Sequence, residues 1–122
     1  MQASDIARAL LDGEADAIVG CDRDGVVRFW NAGAARIFGF SADEAVGRNL
    51  RFLSSGDEQS EDIARLRNAI REEKACSLVM RSRRRDGTPF WNDMSITPLR
   101  DDTGRVVRFV IIQDDVTARV RA

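Results

Sequence analysis

The 122-residue chain contains no histidine and no tyrosine, and only two cysteines. Without histidine there is no Ser-His-Asp triad, no imidazole-ligated haem or zinc, and no phospho-accepting histidine within these residues. Without tyrosine there is no phenol to act as a chromophore partner or general acid. Cys21 and Cys76 lie far apart and outside any CxxC spacing, so they read as two buried thiols. Neither has a candidate base, which argues against an enzyme built on a thiol nucleophile. Long apolar runs are also missing. No segment approaches the ~20 residues that span a bilayer, and the opening MQASDIAR lacks a basic stretch followed by a hydrophobic one. The expectation is a cytoplasmic, non-enzymatic chain without a membrane partner.

Neither sign of charge dominates the chain. There are 19 basic and 20 acidic side chains, a net charge of −1, which gives no general pull toward nucleic acid. Arg81, Arg83, Arg84 and Arg85 form a basic run without interleaved aromatics, which reads as a solvated hairpin tip. The length suits one domain with a real core.

The spacing of apolar residues alternates between helix and strand signals. Ser4 is a candidate cap for a predicted short helix, DIARALLDG, that Gly13 would end. Strands AIVGCD and VVRFW flank a turn at Asp24-Gly25. Asn31 is a candidate N-cap for AGAARIFG, which Gly39 ends, and Ser41 with Glu44 has capping-box spacing for a further short helix stopping at Gly47. A longer helix is predicted from Glu58 to Glu72, with Ile63, Leu66 and Ile70 as its buried stripe. CSLVMRSR, TPFWNDMSITPL and RVVRFVIIQDD then read as three strands joined by short turns.

Alternation along these strands sorts their side chains by face. Asn92, Met94 and Ile96 share one face, as do Phe109, Ile111 and Gln113, and on the third strand Cys76, Leu78, Met80 and Ser82. Trp91, Val110 and Ile112 fall on the opposite face. An apolar outer face needs cover, and the first helix or a second subunit would supply it.

The order of elements, with FWNAGAARIFGFSADEAVG, RRRDGTPFWNDMSITPLRDDTG and the closing DVT at 115–117, resembles the PAS family. The resemblance implies an α+β fold: a five-stranded antiparallel sheet flanked by short helices and one longer helix. It also implies an N-terminal cap helix over 1–15, a PAS domain over 16–117, and the start of a coupling segment at 118–122. Within that family the LOV flavin photoreceptors are most similar. Their GRNCRFLQ segment matches at Asn49, Arg51, Phe52 and Leu53, whereas Leu50 stands at the adduct-forming cysteine and Ser54 at the glutamine.

By this resemblance Arg51 and Arg67 hold a flavin phosphate, and Asn92 and Gln113 hydrogen-bond the ring edge. Ser82 replaces a second ring-edge asparagine, and Ile111 replaces a glycine beside the ring. An isoalloxazine needs an apolar slot with a few amides at one edge and guanidinium charge at the mouth, which these residue types supply. Two mechanisms follow. Either FMN or FAD binds and no cysteinyl adduct forms, or Leu50, Ile111, Met80 and Met94 fill the pocket and the domain works by dimerisation or relay. The filled pocket is the expectation favoured here, because overpacking by Ile111 costs ~1–3 kcal/mol when it cannot be relieved. In both, a sensory module regulates an effector through the last strand. The predicted partners are an effector domain or protein and a second copy, docked through Trp91, Val110, Ile112 and the first helix.

Overall fold

A computed structural model describes residues 16–53 and 61–118. Strands β1 (Ala17–Cys21) and β2 (Val27–Trp30) form the first hairpin, turned at Gly25, where φ is 85°. Asp22 fixes that turn: its Oδ1 accepts from the Asp24 and Val26 amides at 2.9 and 3.0 Å. Helix α1 (Ala32–Phe38) follows directly. Asn31 Oδ1 accepts from Ala34 N at its start, and Gly39 closes it in the left-handed conformation that glycine adopts without strain. Ser41 and Glu44 make both bonds of the capping box on α2 (Ala42–Ala45), which stops two residues before the predicted Gly47.

The segment Leu50–Leu53 forms a 3-10 turn, and α3 runs from Glu61 to Glu72. The predicted first helix, Ser54 and the end of the coupling segment lie outside the described residues. Strands β3 (Cys76–Arg83), β4 (Pro89–Arg100) and β5 (Val106–Asp115) complete the sheet, whose order is β2-β1-β5-β4-β3 with antiparallel pairing throughout. The fold is thus α+β, as the resemblance implies.

The order places β1 beside β5, and α3 packs against the edge strand β3. Met80 pairs with Asn92 and Met94 with Gln113, so the three strands set Met80, Asn92, Met94 and Gln113 side by side on one concave face. Val19, Phe38, Phe90, Ile96 and Phe109 form the dry part of the core. Gly33 lets α1 sit close against the start of β1. A Cβ there would lie 2.0 Å from the Asp16 carbonyl oxygen. No described helix is long and apolar enough to cross a membrane.

Candidate functional site

A cavity of about 450 Å³ lies between the sheet and the helices. Its floor is Met80 and Ser82 on β3, Asn92 and Met94 on β4, and Ile111 and Gln113 on β5. Ile63, Leu66, Arg67, Ile70 and Arg71 of α3 form one wall, and Asn49, Leu50, Arg51 and Leu53 form another. Arg23 and Asp24, from the β1–β2 turn, complete the rim. The expectation of a filled pocket is therefore corrected. Leu50, Ile111, Met80 and Met94 line this cavity, while Met80, Met94 and Ile111 also stay buried in the core and Leu50 packs against it.

The floor carries a small amide network. Asn92 is 1% exposed and Gln113 3%. Asn92 Nδ2 donates to Gln113 Oε1 at 2.6 Å and to Ser82 Oγ at 3.2 Å. Asn92 Oδ1, by contrast, is buried and has no hydrogen-bond partner. A buried amide acceptor left unpaired costs about 1–3 kcal/mol, so this atom is free to accept from a donor that enters the cavity. Gln113, with its Oε1 engaged, has its Nε2 amino group left to offer. Ser82 joins this network through its hydroxyl, the part that its short side chain can still play.

The rim is positive. Arg51 and Arg67 are both exposed at the cavity mouth, with Arg23 and Arg71 beside them. Arg23 was not singled out by sequence reasoning, since it lies in a turn remote in the chain from the other arginines. Asn49 belongs mainly to the scaffold: its Nδ2 donates to the Asp24 carbonyl at 3.1 Å, and its Oδ1 accepts from Arg51 N at 3.0 Å and Arg51 Nε at 3.2 Å. Leu50 N donates to the Gly25 carbonyl at 2.8 Å, which pins the 3-10 turn to the first hairpin.

The thiols stand apart from this cavity. Cys21 is fully buried, and burial, then the neighbouring Asp22 charge, push its thiol up to about 12 against a backbone hydrogen bond with Phe109. It is a protonated core residue. Cys76 is only half-buried, not buried as predicted, because it opens β3 at the sheet's edge. The basic run also departs from the solvated tip predicted for it. Arg84 tucks inward, donating from Nη1 to the Ile37 carbonyl at 2.8 Å and from Nη2 to Asp115 Oδ2 at 2.5 Å, while its guanidinium lies over the Phe90 ring. Arg85 pairs with Glu44, and Arg81 lies over Trp91.

A five-stranded sheet with a helix-walled cavity on its concave face defines a class of sensory fold, and a family model described as PAS domain matches residues 15–118. The chain belongs to the PAS domain family. Within it the chain is LOV-like. It is 30% identical to the blue-light photoreceptor aureochrome1 LOV in its light state, covering 94% of this chain and 91% of that one with a TM-score of 0.79. An RNA-binding light-oxygen-voltage receptor superposes with a TM-score of 0.87 at 33% identity, over 96% of this chain and 34% of that chain. A blue-light photoreceptor of Listeria monocytogenes serovar 1/2a is 38% identical over 95 residues, 78% of this chain and 37% of the relative. The chain thus spans little more than a third of these two longer proteins.

Proposed function

We propose that this domain is a flavin-binding sensory module that signals without a cysteinyl adduct. The observation that carries the reading is the unpaired Asn92 Oδ1 on the floor of a cavity of about 450 Å³, a size within the ordinary range for small-ligand sites. Asn92 Oδ1 accepts an N–H from the edge of the ring, while Gln113 Nε2 and the Ser82 hydroxyl offer donors beside it. Arg51 and Arg67 hold phosphate at the mouth. Met94, Ile111 and Leu50 give the ring apolar walls. A flavin supplies blue absorption and a reducible ring, and Leu50 in the wall offers no thiol to it.

The signal then passes through hydrogen bonding. Gln113 lies two residues before Asp115, whose carboxylate holds Arg84 and accepts from Thr117 N at 3.0 Å. A change in what Gln113 bonds at the ring edge is transmitted along β5 to this point, where the chain leaves the sheet toward an effector. A second copy of the domain covers the outer face at Trp91, Val110 and Ile112, the last of which is 46% exposed. This likeness to light sensors, together with the site, supports light or redox state as the signal.

Titration of the purified protein with FMN tests the reading. We expect quenching of flavin fluorescence and the structured blue band of a bound, oxidised ring. Asn92→Leu should weaken binding by the 1–3 kcal/mol of a lost buried hydrogen bond, about fivefold to 150-fold. Leu50→Cys should add a light-driven, dark-reversible bleaching. A protein that takes up no FMN sinks the proposal.

A further inference from the structure

The two walls of the cavity are held in different ways. Segment 47–50 is stapled to the first hairpin by backbone: Gly47 N donates to the Val27 carbonyl, Val27 N to the Arg48 carbonyl and Leu50 N to the Gly25 carbonyl, each at 2.8 Å. This wall and the β1–β2 turn therefore form one body. Helix α3, the facing wall, packs on the edge strand β3 and turns Ile63, Leu66 and Ile70 to the cavity. Apolar contact of that kind is non-directional and sets no register that a tilt of the helix would break.

The end of α3 is where the two bodies meet. Glu73 N donates to the Ile70 carbonyl at 3.2 Å and Lys74 N to the Ala69 carbonyl at 2.9 Å, a double closure that usually has glycine where Glu73 stands. Glu73 is the one described non-glycine residue with positive φ, 58°. Glycine would relieve that backbone but would lack the side chain, and the side chain reaches across the mouth. Glu73 Oε1 accepts from Arg23 Nη2 at 3.1 Å, and Arg23 shares the cavity rim with Ile70 and Arg71 of α3. The ion pair thus joins the hairpin body to the helix. On the other side, Arg100 Nη2 donates to the Glu73 carbonyl at 3.4 Å, which anchors the turn itself to the end of β4.

We infer that α3 is a gate on the cavity, with the turn at Glu73 as its hinge and the Arg23–Glu73 ion pair as the clasp that holds it shut. With the pair made, the rim is closed between the β1–β2 turn and α3. With it broken, α3 swings about the anchored turn, away from β3, and the mouth widens. The two side chains are 47% and 32% exposed, so the clasp is weak and screened by salt. A gate that opens for each entry needs a contact of that strength, where a buried pair would lock it. The inference concerns passage into the cavity, and only one of its assays rests on the flavin reading.

Thiol labelling of the native protein tests the gate without any ligand. Cys76 is half-buried at the start of β3, the strand that α3 covers, whereas Cys21 is fully buried. We expect Glu73→Gly and Arg23→Met each to speed the reaction of Cys76 with an aromatic disulfide by about 1.5-fold to fivefold, the range of an exposed ion pair, and the double variant to add nothing further. High salt should bring wild type toward the variants and leave the variants unchanged. Urea melts separate the gate from general loosening: Glu73→Gly, which relieves the left-handed backbone, should be at least as stable as wild type while labelling faster. In stopped-flow mixing with riboflavin, which brings no phosphate to the rim arginines, uptake should speed up by the same factor. Unchanged labelling in both variants, effects that add in the double variant, or faster labelling matched by an equal loss of stability overturns the gate. Failure of riboflavin to bind overturns the flavin reading alone, since Cys76 labelling decides the gate.

Discussion

Asn31 does more than its place before a helix suggests. Its Oδ1 accepts from both Ala34 N and Ile18 N at 2.8 Å, and its Nδ2 donates to the Asp16 carbonyl at 3.1 Å. One buried side chain therefore caps α1 and fastens that helix to the start of β1. Asn31→Ala should cost about 2–4 kcal/mol, the sum of a lost cap and an unpaired buried Ile18 amide. Asn31→Asp, which keeps the acceptor, should cost less. Urea melts of the three proteins check this, and an alanine variant as stable as wild type would show that water replaces these bonds. The cap was legible in the sequence because capping is local. The bonds to β1 were not, since nothing in the chain near Asn31 states which strand end lies beside it.

At the scale of elements, the exit of β5 is held by its neighbours. Trp91 N donates to Thr117 Oγ1 and Val116 N to the Trp91 carbonyl, both at 2.9 Å. Arg84 closes the same end by pairing with Asp115. Burial by itself would raise the Asp115 carboxyl, but the hydrogen bonds from Arg84 and Thr117 outweigh it and hold the group below its ordinary value. A lowered folded-state value means stability that is fully present above the unfolded value, about 3.9, and lost as pH falls through the folded one. Asp86, held down by Thr88, and Asp101, held down by Thr103, act in the same sense at the surface. Asp115→Asn should therefore be less stable than wild type at neutral pH, with the difference shrinking as pH falls below about 4. Denaturant melts across that range measure it. A gap that stays constant with pH would remove Asp115 from the acid response. Strand parity placed Gln113 and Asp115 on one face, but only the sheet order brings the β3–β4 hairpin to the end of β5.

For the whole molecule, one sheet face is covered by helices and holds the cavity, while the other keeps aliphatic surface. Ile112, Val79, Leu99 and Val107 are exposed, and Trp91 and Val110 are half-buried. Association of two copies through this face should appear in sedimentation velocity as a concentration-dependent dimer, and Ile112→Glu should shift it to monomer. A wild-type protein that sediments as a monomer at high concentration would leave this face without a second copy. The faces themselves were legible in the sequence, because a period of two fixes which side chains share a side. What lies opposite each face was not.

Local pattern was enough for the described elements, their caps and turns, the strand faces and, through the motifs, the resemblance to the PAS and LOV families. These depend on interactions between residues close in the chain, or on alternation that any extended strand must show. Packing across the fold decided that Ile111 and Leu50 line a cavity, that Asn92 keeps an unpaired acceptor there, and that Arg23 reaches the same rim as Arg51 and Arg67. Those outcomes depend on where α3 and the 3-10 turn pack and on which strands are neighbours. Both follow from packing across the whole chain, which no local pattern encodes.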